Sequence, residues 1–332
     1  MDSPQTHTPP HNEKTIMGHP RGLVILFLTE MWERFSYYGM RGLLVVYLTQ
    51  HFLFSDERSS LLYGAYTALV YVMTIIGGSL ADRYLGARKA VTFGAILLTL
   101  GHFGMTFEGS GSKQLLEYND TEYQISLDAR GGDAKQLIIS DSGTSYVTFT
   151  ETDMLITEPE AVDLPAVIPR DQFTMSVETE EEYLMMLYLS LALLIAGVGF
   201  LKANISTIVG SLYGFGDSRR DSGFTIFYMG INMGAFAATL LCGYLGETFG
   251  WRYGFGVAGI GMAIGLATFL LGQKYLHGLA EPHNSATLKQ KSPIGLNKEC
   301  TIYLCGLLGV IAVWKTLQFH SAVGYTLNLL SL

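Results

Sequence analysis

Glu30, Glu33, Arg34 and Arg41 lie within "EMWERFSYYGMRG", residues 30–42, between the apolar runs "GLVILFLT" and "LLVVYLT". On a helix turning about 100° per residue, these four and Tyr37 share one arc of about 100°. Glu30 and Arg34 stand at i and i+4, and Arg41 lies two turns further along that face. Carboxylates balanced between burial and a neighbouring guanidinium can take up and release a proton. A charge at the centre of a bilayer costs about 3 kcal/mol, so four simply added would cost roughly 12 kcal/mol. Such a stripe is tolerable only against a polar cavity or a partner. One alternative is a salt bridge that merely joins helices; the accompanying Tyr37 and Tyr38 suit a ligand cavity better.

A further lone cation, Lys202, sits in "IAGVGFLKANIS", with Gly197 and Gly199 allowing a neighbouring helix close approach. A snorkelling lysine would lie nearer a helix end. If both helices line one cavity, it presents carboxylates, two arginines and a lysine, which suits a zwitterion.

The elements that must position these residues are transmembrane helices. The 332 residues are 49% hydrophobic and only 15% charged, with 38 glycines and a mean hydropathy of +0.29, which marks a polytopic membrane protein. A span needs about 20 apolar residues. Six runs qualify, at 21–52, 60–81, 90–107, 183–215, 223–247 and 251–275, and a seventh occupies 301–332. The basic joints, holding Arg83, Arg88 and Lys89, then Arg219 and Arg220, then Lys274, Lys289, Lys291 and Lys298, are expected to be cytoplasmic, with the N-terminal tail 1–20. No small-residue cleavage site follows the first apolar run, so it reads as an anchor rather than a signal peptide. Cys242, Cys300 and Cys305 have neither disulfide nor metal spacing and are expected to be buried free thiols.

Residues 109–182 differ in kind. They hold 16 Asp and Glu against 4 Lys and Arg, a balance of −12, so the formal total of −8 conceals two opposite regions. Within them "KQLIISDSGTSYVTFTETDMLIT" alternates apolar and polar residues around an "SDSGTS" turn, which predicts a hairpin. The segment is expected to be a small β-rich extracytoplasmic insert; the alternative is an acidic, partly disordered loop.

Four motifs in order carry a resemblance: "ExxERFxYYG" at 30–39, "GGSLADRYLGARK" at 77–89, "GVGFLKANIS" at 197–206 and "FYMGINMGAF" at 227–236. Together they resemble the proton-dependent oligopeptide transporters of the major facilitator superfamily. The resemblance covers helices 1 to 6 and the start of the linker helices, not the acidic insert. It implies an all-α polytopic protein: the superfamily's N-terminal six-helix bundle of two inverted three-helix repeats, here interrupted by the β-rich insert. The implied organisation is helices 1–3 in 21–108, the insert in 109–182, helices 4–6 in 183–276, a cytoplasmic linker in 277–300 and a linker helix in 301–332.

The resemblance also implies roles. Glu30, Glu33, Arg34 and Lys202 would couple protons. Tyr37, Tyr38, Arg41, Tyr71, Lys202 and Asn232 would bind substrate, Arg41 and Lys202 facing a peptide carboxylate, although Asn232 could instead be a buried residue bonding another helix. Asp82, Arg83 and Arg88 would form a conformational latch. Ala203 stands where many members have proline. The expected activity is symport of di- and tripeptides with protons across the inner (plasma) membrane, with no cofactor, metal or nucleic acid. Two six-helix halves make such a transporter, so the chain reads as the N-terminal part, with the C-terminal half as its missing partner. Rival readings are the same fold carrying nitrate or another small anion, which loss of the "ExxER" carboxylates would favour, and a nontransporting scaffold or receptor whose insert binds a partner. Catalysis finds no Ser/His/Asp grouping, phosphate loop or metal-ligand cluster in the sequence.

Overall fold

The computed structural model describes residues 15–128, 135–282, 285–292 and 295–319. The chain forms two compact units: one holds the long helices, the other comprises Leu48–Ser55 and Gly109–Leu184. The long helices are α1 (Arg21–Gln50), α2 (Asp56–Leu80), α3 (Ala87–Gly104), α4 (Glu181–Ser211), α5 (Arg220–Phe249), α6 (Trp251–Gly272) and α7 (Lys298–Gln318).

Among the described residues, five helical stretches are long and apolar enough to cross a membrane by length and composition: Asp56–Leu85, Glu181–Ser211, Arg220–Phe249, Trp251–Leu276 and Lys298–Gln318. The sequence reading counted six spans and a seventh run. Its first and third runs form α1 and α3, which fall outside the five. Four charges interrupt α1, and α3 has only 18 residues, among them Arg88, Lys89 and His102. The end of the seventh run, 320–332, lies outside the described residues.

Glycines set the helix contacts. A Cβ added at Gly230 would lie 3.0 Å from the Phe27 carbonyl oxygen, and one at Gly234 would lie 2.9 Å from the Phe35 nitrogen, so α5 meets α1 backbone to backbone. This small-xxx-small spacing is how apolar helices gain van der Waals contact where lipid offers no hydrophobic drive. At Gly265 a Cβ would stand 3.1 Å from Trp32 Cβ, placing α6 beside α1. In the other half of the unit, α4 meets α2 and α3: added Cβ atoms at Gly199 and Gly197 would lie 2.6 Å from the Met73 oxygen and 2.8 Å from the Gly94 oxygen. Helix α7 joins this side, with Tyr303 and Phe93 rings 4.9 Å apart and Trp314 Nε1 donating to the Met185 carbonyl at 3.1 Å. Of the three cysteines, Cys242 is buried, whereas Cys300 and Cys305 are exposed on α7, because that helix presents a second apolar face to its surroundings.

The second unit is an antiparallel sheet of seven strands: β1 (Ser112–Tyr118), β2 (Thr121–Asp128), β3 (Lys135–Ile139), β4 (Thr144–Phe149), β5 (Asp153–Ile156), β6 (Val167–Pro169) and β7 (Phe173–Thr179). Their order is β6-β5-β4-β3-β2-β1-β7. The two edge strands are consecutive in sequence and joined only by Arg170–Gln172, so the sheet must curl into a half-barrel. Its inward residues, among them Leu116, Ile125, Ile138, Val147, Met154 and Phe173, form one core. The alternation around "SDSGTS" becomes the β3–β4 hairpin, with Ile139 opposite Thr144 and the turn closed by Ser140 N–H donating to the Gly143 carbonyl at 2.9 Å.

Candidate site on the first and fourth helices

The charged stretch is continuous helix within α1, and it is buried: Glu30, Glu33 and Arg34 are 3%, 1% and 3% exposed. Arg34 holds Glu33 with two hydrogen bonds. Its Nη2 donates to Oε1 at 2.6 Å and its Nε to Oε2. Glu30 Oε1 lies 3.3 Å from the same Nε, while Glu30 Oε2 is buried without a hydrogen-bond partner among the described residues. One guanidinium therefore serves two carboxylates and leaves a buried oxygen uncompensated. Leaving an anionic oxygen buried and unpaired is costly.

The face continues outward through aromatic rings. The Arg34 guanidinium stands 4.9 Å from the Tyr37 ring centroid, and Tyr37 meets Tyr38 edge to face at 5.3 Å. Arg41, two turns beyond Arg34, does not join the carboxylates. Its Nε donates to the Tyr63 hydroxyl of α2, and its guanidinium lies 5.3 Å from that ring. Tyr63 is thus a member of the site that the sequence reading did not single out. The same holds for Tyr66, fully buried one turn later and within electrostatic reach of Tyr37, Glu33 and Arg34. The available signal was "YGAY", which places two hydroxyls on one face of the second helix.

Lys202 lies on α4, exposed, with no hydrogen bond or ion pair to the described residues. It is within electrostatic reach of Arg34, Glu33, Glu30 and Arg41. Glu30, Glu33, Arg34, Tyr37, Tyr38 and Arg41 are thus gathered on one helix with Lys202 facing their field. Two expected substrate residues stand apart. Tyr71 is 65% exposed, and Asn232 is exposed and donates to the Tyr228 carbonyl of its own helix at 3.3 Å. The alternative of a buried Asn232 tying α5 to another helix is not realised. Asp82 and Arg83 lie in the π-helical turn Ala81–Leu85, exposed and without side-chain partners among the described residues. Arg88 instead binds the chain that follows α6. No group of His, Cys, Asp and Glu among the described residues could hold a metal ion.

Apolar helices around a buried carboxylate–guanidinium cluster define a polytopic membrane protein with a charged interior site. The chain belongs to the POT family, whose profile matches residues 88–302. It is 33% identical over 94% of its length to the uncharacterized transporter YclF of Bacillus subtilis, covering 51% of that protein. To the di-/tripeptide transporter of Lactococcus lactis it is 34% identical over 79% of its length, covering 39% of the relative. Among solved structures, the peptide transporter POT in complex with sulfate matches 91% of this chain and 46% of its own, at 32% identity and a TM-score of 0.58. A POT family transporter in complex with 5-aminolevulinic acid matches 94% of this chain and 49% of its own, at 27% identity and a TM-score of 0.60. The chain spans about half the length of the curated relatives it matches, and those relatives are transporters rather than enzymes.

Proposed function

We propose that this chain supplies the proton-coupling and carboxylate-binding half of a symporter for di- and tripeptides. The observation that carries the reading is the buried Glu30–Arg34–Glu33 cluster within electrostatic reach of Lys202, which has no side-chain partner among the described residues. Counted together, Glu30, Glu33, Arg34, Arg41 and Lys202 hold three cations and two carboxylates. Protonating one carboxylate raises the positive surplus by one charge, and a peptide carboxylate arriving at Lys202 and Arg41 restores it. Proton and peptide are therefore favoured together, each making the other's entry less costly in a medium that penalises net charge.

The cycle follows. When the cavity opens to the side of higher proton activity, Glu30 or Glu33 takes the proton and loosens its hold on Arg34. The freed positive field captures the peptide carboxylate, with Tyr37, Tyr38 and Tyr63 bordering the pocket, while Tyr71 and Asn232, exposed and apart from the buried cluster, meet the peptide further from its carboxylate. Rocking of one bundle against the other exposes the site to the opposite face, where the proton leaves and the peptide follows. Two features support a six-helix bundle of inverted repeats: α1 packs on α5 and α6, and α4 packs on α2 and α3, so each repeat's first helix is embraced by the other repeat. The second bundle would come from a further six helices. The half-barrel would be an extracytoplasmic appendage, the basic joints would face the cytoplasm, and the protein would reside in the inner (plasma) membrane.

Calorimetry on the full-length transporter tests the carboxylate assignment. A dipeptide should bind at least tenfold more tightly than its C-terminal amide, and Lys202→Ala should abolish that preference. Equal affinity for acid and amide in the unaltered protein would overturn the reading.

A further inference from the structure

Arg88 and Lys89 are neighbours in the first turn of α3, yet they hold acidic residues from two different places in the chain. Arg88 Nε pairs with Glu281 Oε1, its Nη2 donates to Glu281 Oε2 at 3.1 Å, and its Nη1 donates to Gln273 Oε1 at 3.0 Å. Lys89 Nζ lies 2.7 Å from Glu299 Oε2, at the start of α7. The backbone repeats the connection, for Arg88 N–H donates to the Ala280 carbonyl at 2.9 Å. Gly86 adds a steric clasp. It turns the chain between the π-helical turn and α3 with φ +74° and ψ 152°, a conformation open to glycine and very little else. A Cβ there would lie 2.8 Å from the Glu281 carbonyl carbon. Only a glycine lets the segment after α6 lie against this turn.

We propose that residues 273–282 and the head of α7 form a strap, fastened by Arg88 and Lys89, that fixes the α2–α3 turn carrying Asp82 and Arg83. Asp82 and Arg83 have no side-chain partners among the described residues, whereas Arg88, six residues after Asp82, is held by Glu281 and Gln273. Arg88 and Lys89 supply the fastening, and the exposed Asp82 and Arg83 are what the fastening holds in place. Both ion pairs are partly exposed, so each is weak by itself and sensitive to salt. A strap of this strength can be released without unfolding the helices. Its release frees the turn, whatever cargo the transporter carries.

Hydrogen exchange read by mass spectrometry, on the purified chain in detergent, tests this. Arg88→Glu should speed exchange about two- to fivefold, the range an exposed pair supports, at amides of both 81–90 and 277–282, leaving α1 and α5 unchanged. Arg88→Glu with Glu281→Arg should restore the slow rates. Glu281→Gln, the milder change, should loosen the same two segments if the reversal impairs folding. Unchanged exchange in Glu281→Gln, or acceleration spread evenly over all helices, would overturn the strap.

Discussion

Glu33→Gln separates coupling from binding. Glu33 receives two hydrogen bonds from Arg34. Glutamine keeps one acceptor oxygen and turns an amide N–H₂ toward a guanidinium nitrogen, so one charge-assisted bond is lost, about 1.5–3 kcal/mol. Arg34 is not abandoned, because Glu30 remains 3.3 Å away, and the roughly 3–5 kcal/mol for stranding a buried charge does not apply in full. The protein therefore stays folded against a typical stability of about 5–15 kcal/mol. Function divides differently. The neutral side chain mimics a permanently protonated carboxylate and cannot cycle. Accumulation of a labelled dipeptide into proteoliposomes under an inward proton gradient should be lost, leaving only equilibration with the external concentration, because no proton can load at this position. Peptide-for-peptide exchange at equal pH should fall no more than about tenfold. Unchanged accumulation by Glu33→Gln would refute a coupling role for this carboxylate, and equal loss of exchange would show that the residue serves binding instead.

Two further outcomes follow. Gly234→Leu should force α1 and α5 apart, since even a Cβ at that position meets the Phe35 nitrogen at 2.9 Å; overpacking on this scale costs about 1–3 kcal/mol, read as a lowered thermal midpoint in detergent. Replacing residues 111–180 with a Gly/Ser linker should leave dipeptide uptake within about threefold, because closing a loop depends slowly on its length and Gly104 of α3 already packs on Ser190 of α4, Cβ to Cβ at 3.3 Å for an added methyl. A variant of this kind that is monodisperse in detergent but transports nothing would make the half-barrel part of the machine.

What the sequence disclosed, and what it withheld, follows from the reach of each signal. Spacing along one helix placed Glu30 and Arg34 together as i,i+4 neighbours, and they stand 3.3 Å apart; the tighter pair, Arg34 with Glu33, joins adjacent residues and owes nothing to that periodicity. Helix ends were read two to four residues late at α2, α3, α4, α5 and α7. The first turns of α2, α4, α5 and α7 carry Asp56 and Glu57, Glu181 and Glu182, Asp221, and Glu299, acidic groups that complement the positive end of the helix dipole rather than the bilayer, whereas α3 opens on the basic Arg88 and Lys89. Partners across helices were not legible. Tyr63 stands 22 positions from Arg41, and Glu281 stands 193 from Arg88; neither separation leaves a periodic trace. The loop motif at 77–89 singled out Asp82, Arg83 and Arg88 but not the partners of Arg88, which come from a segment whose course no local pattern announces.

Proton-driven accumulation is the property on which the whole reading rests, and one measurement addresses it directly. The full-length transporter is reconstituted into liposomes, and uptake of a labelled dipeptide is followed with and without an inward pH gradient, then after a protonophore. The account predicts accumulation above the external concentration only with the gradient, abolished by the protonophore and absent in Glu33→Gln. Equal accumulation with and without the gradient, or none for any dipeptide or tripeptide under either condition, would contradict it.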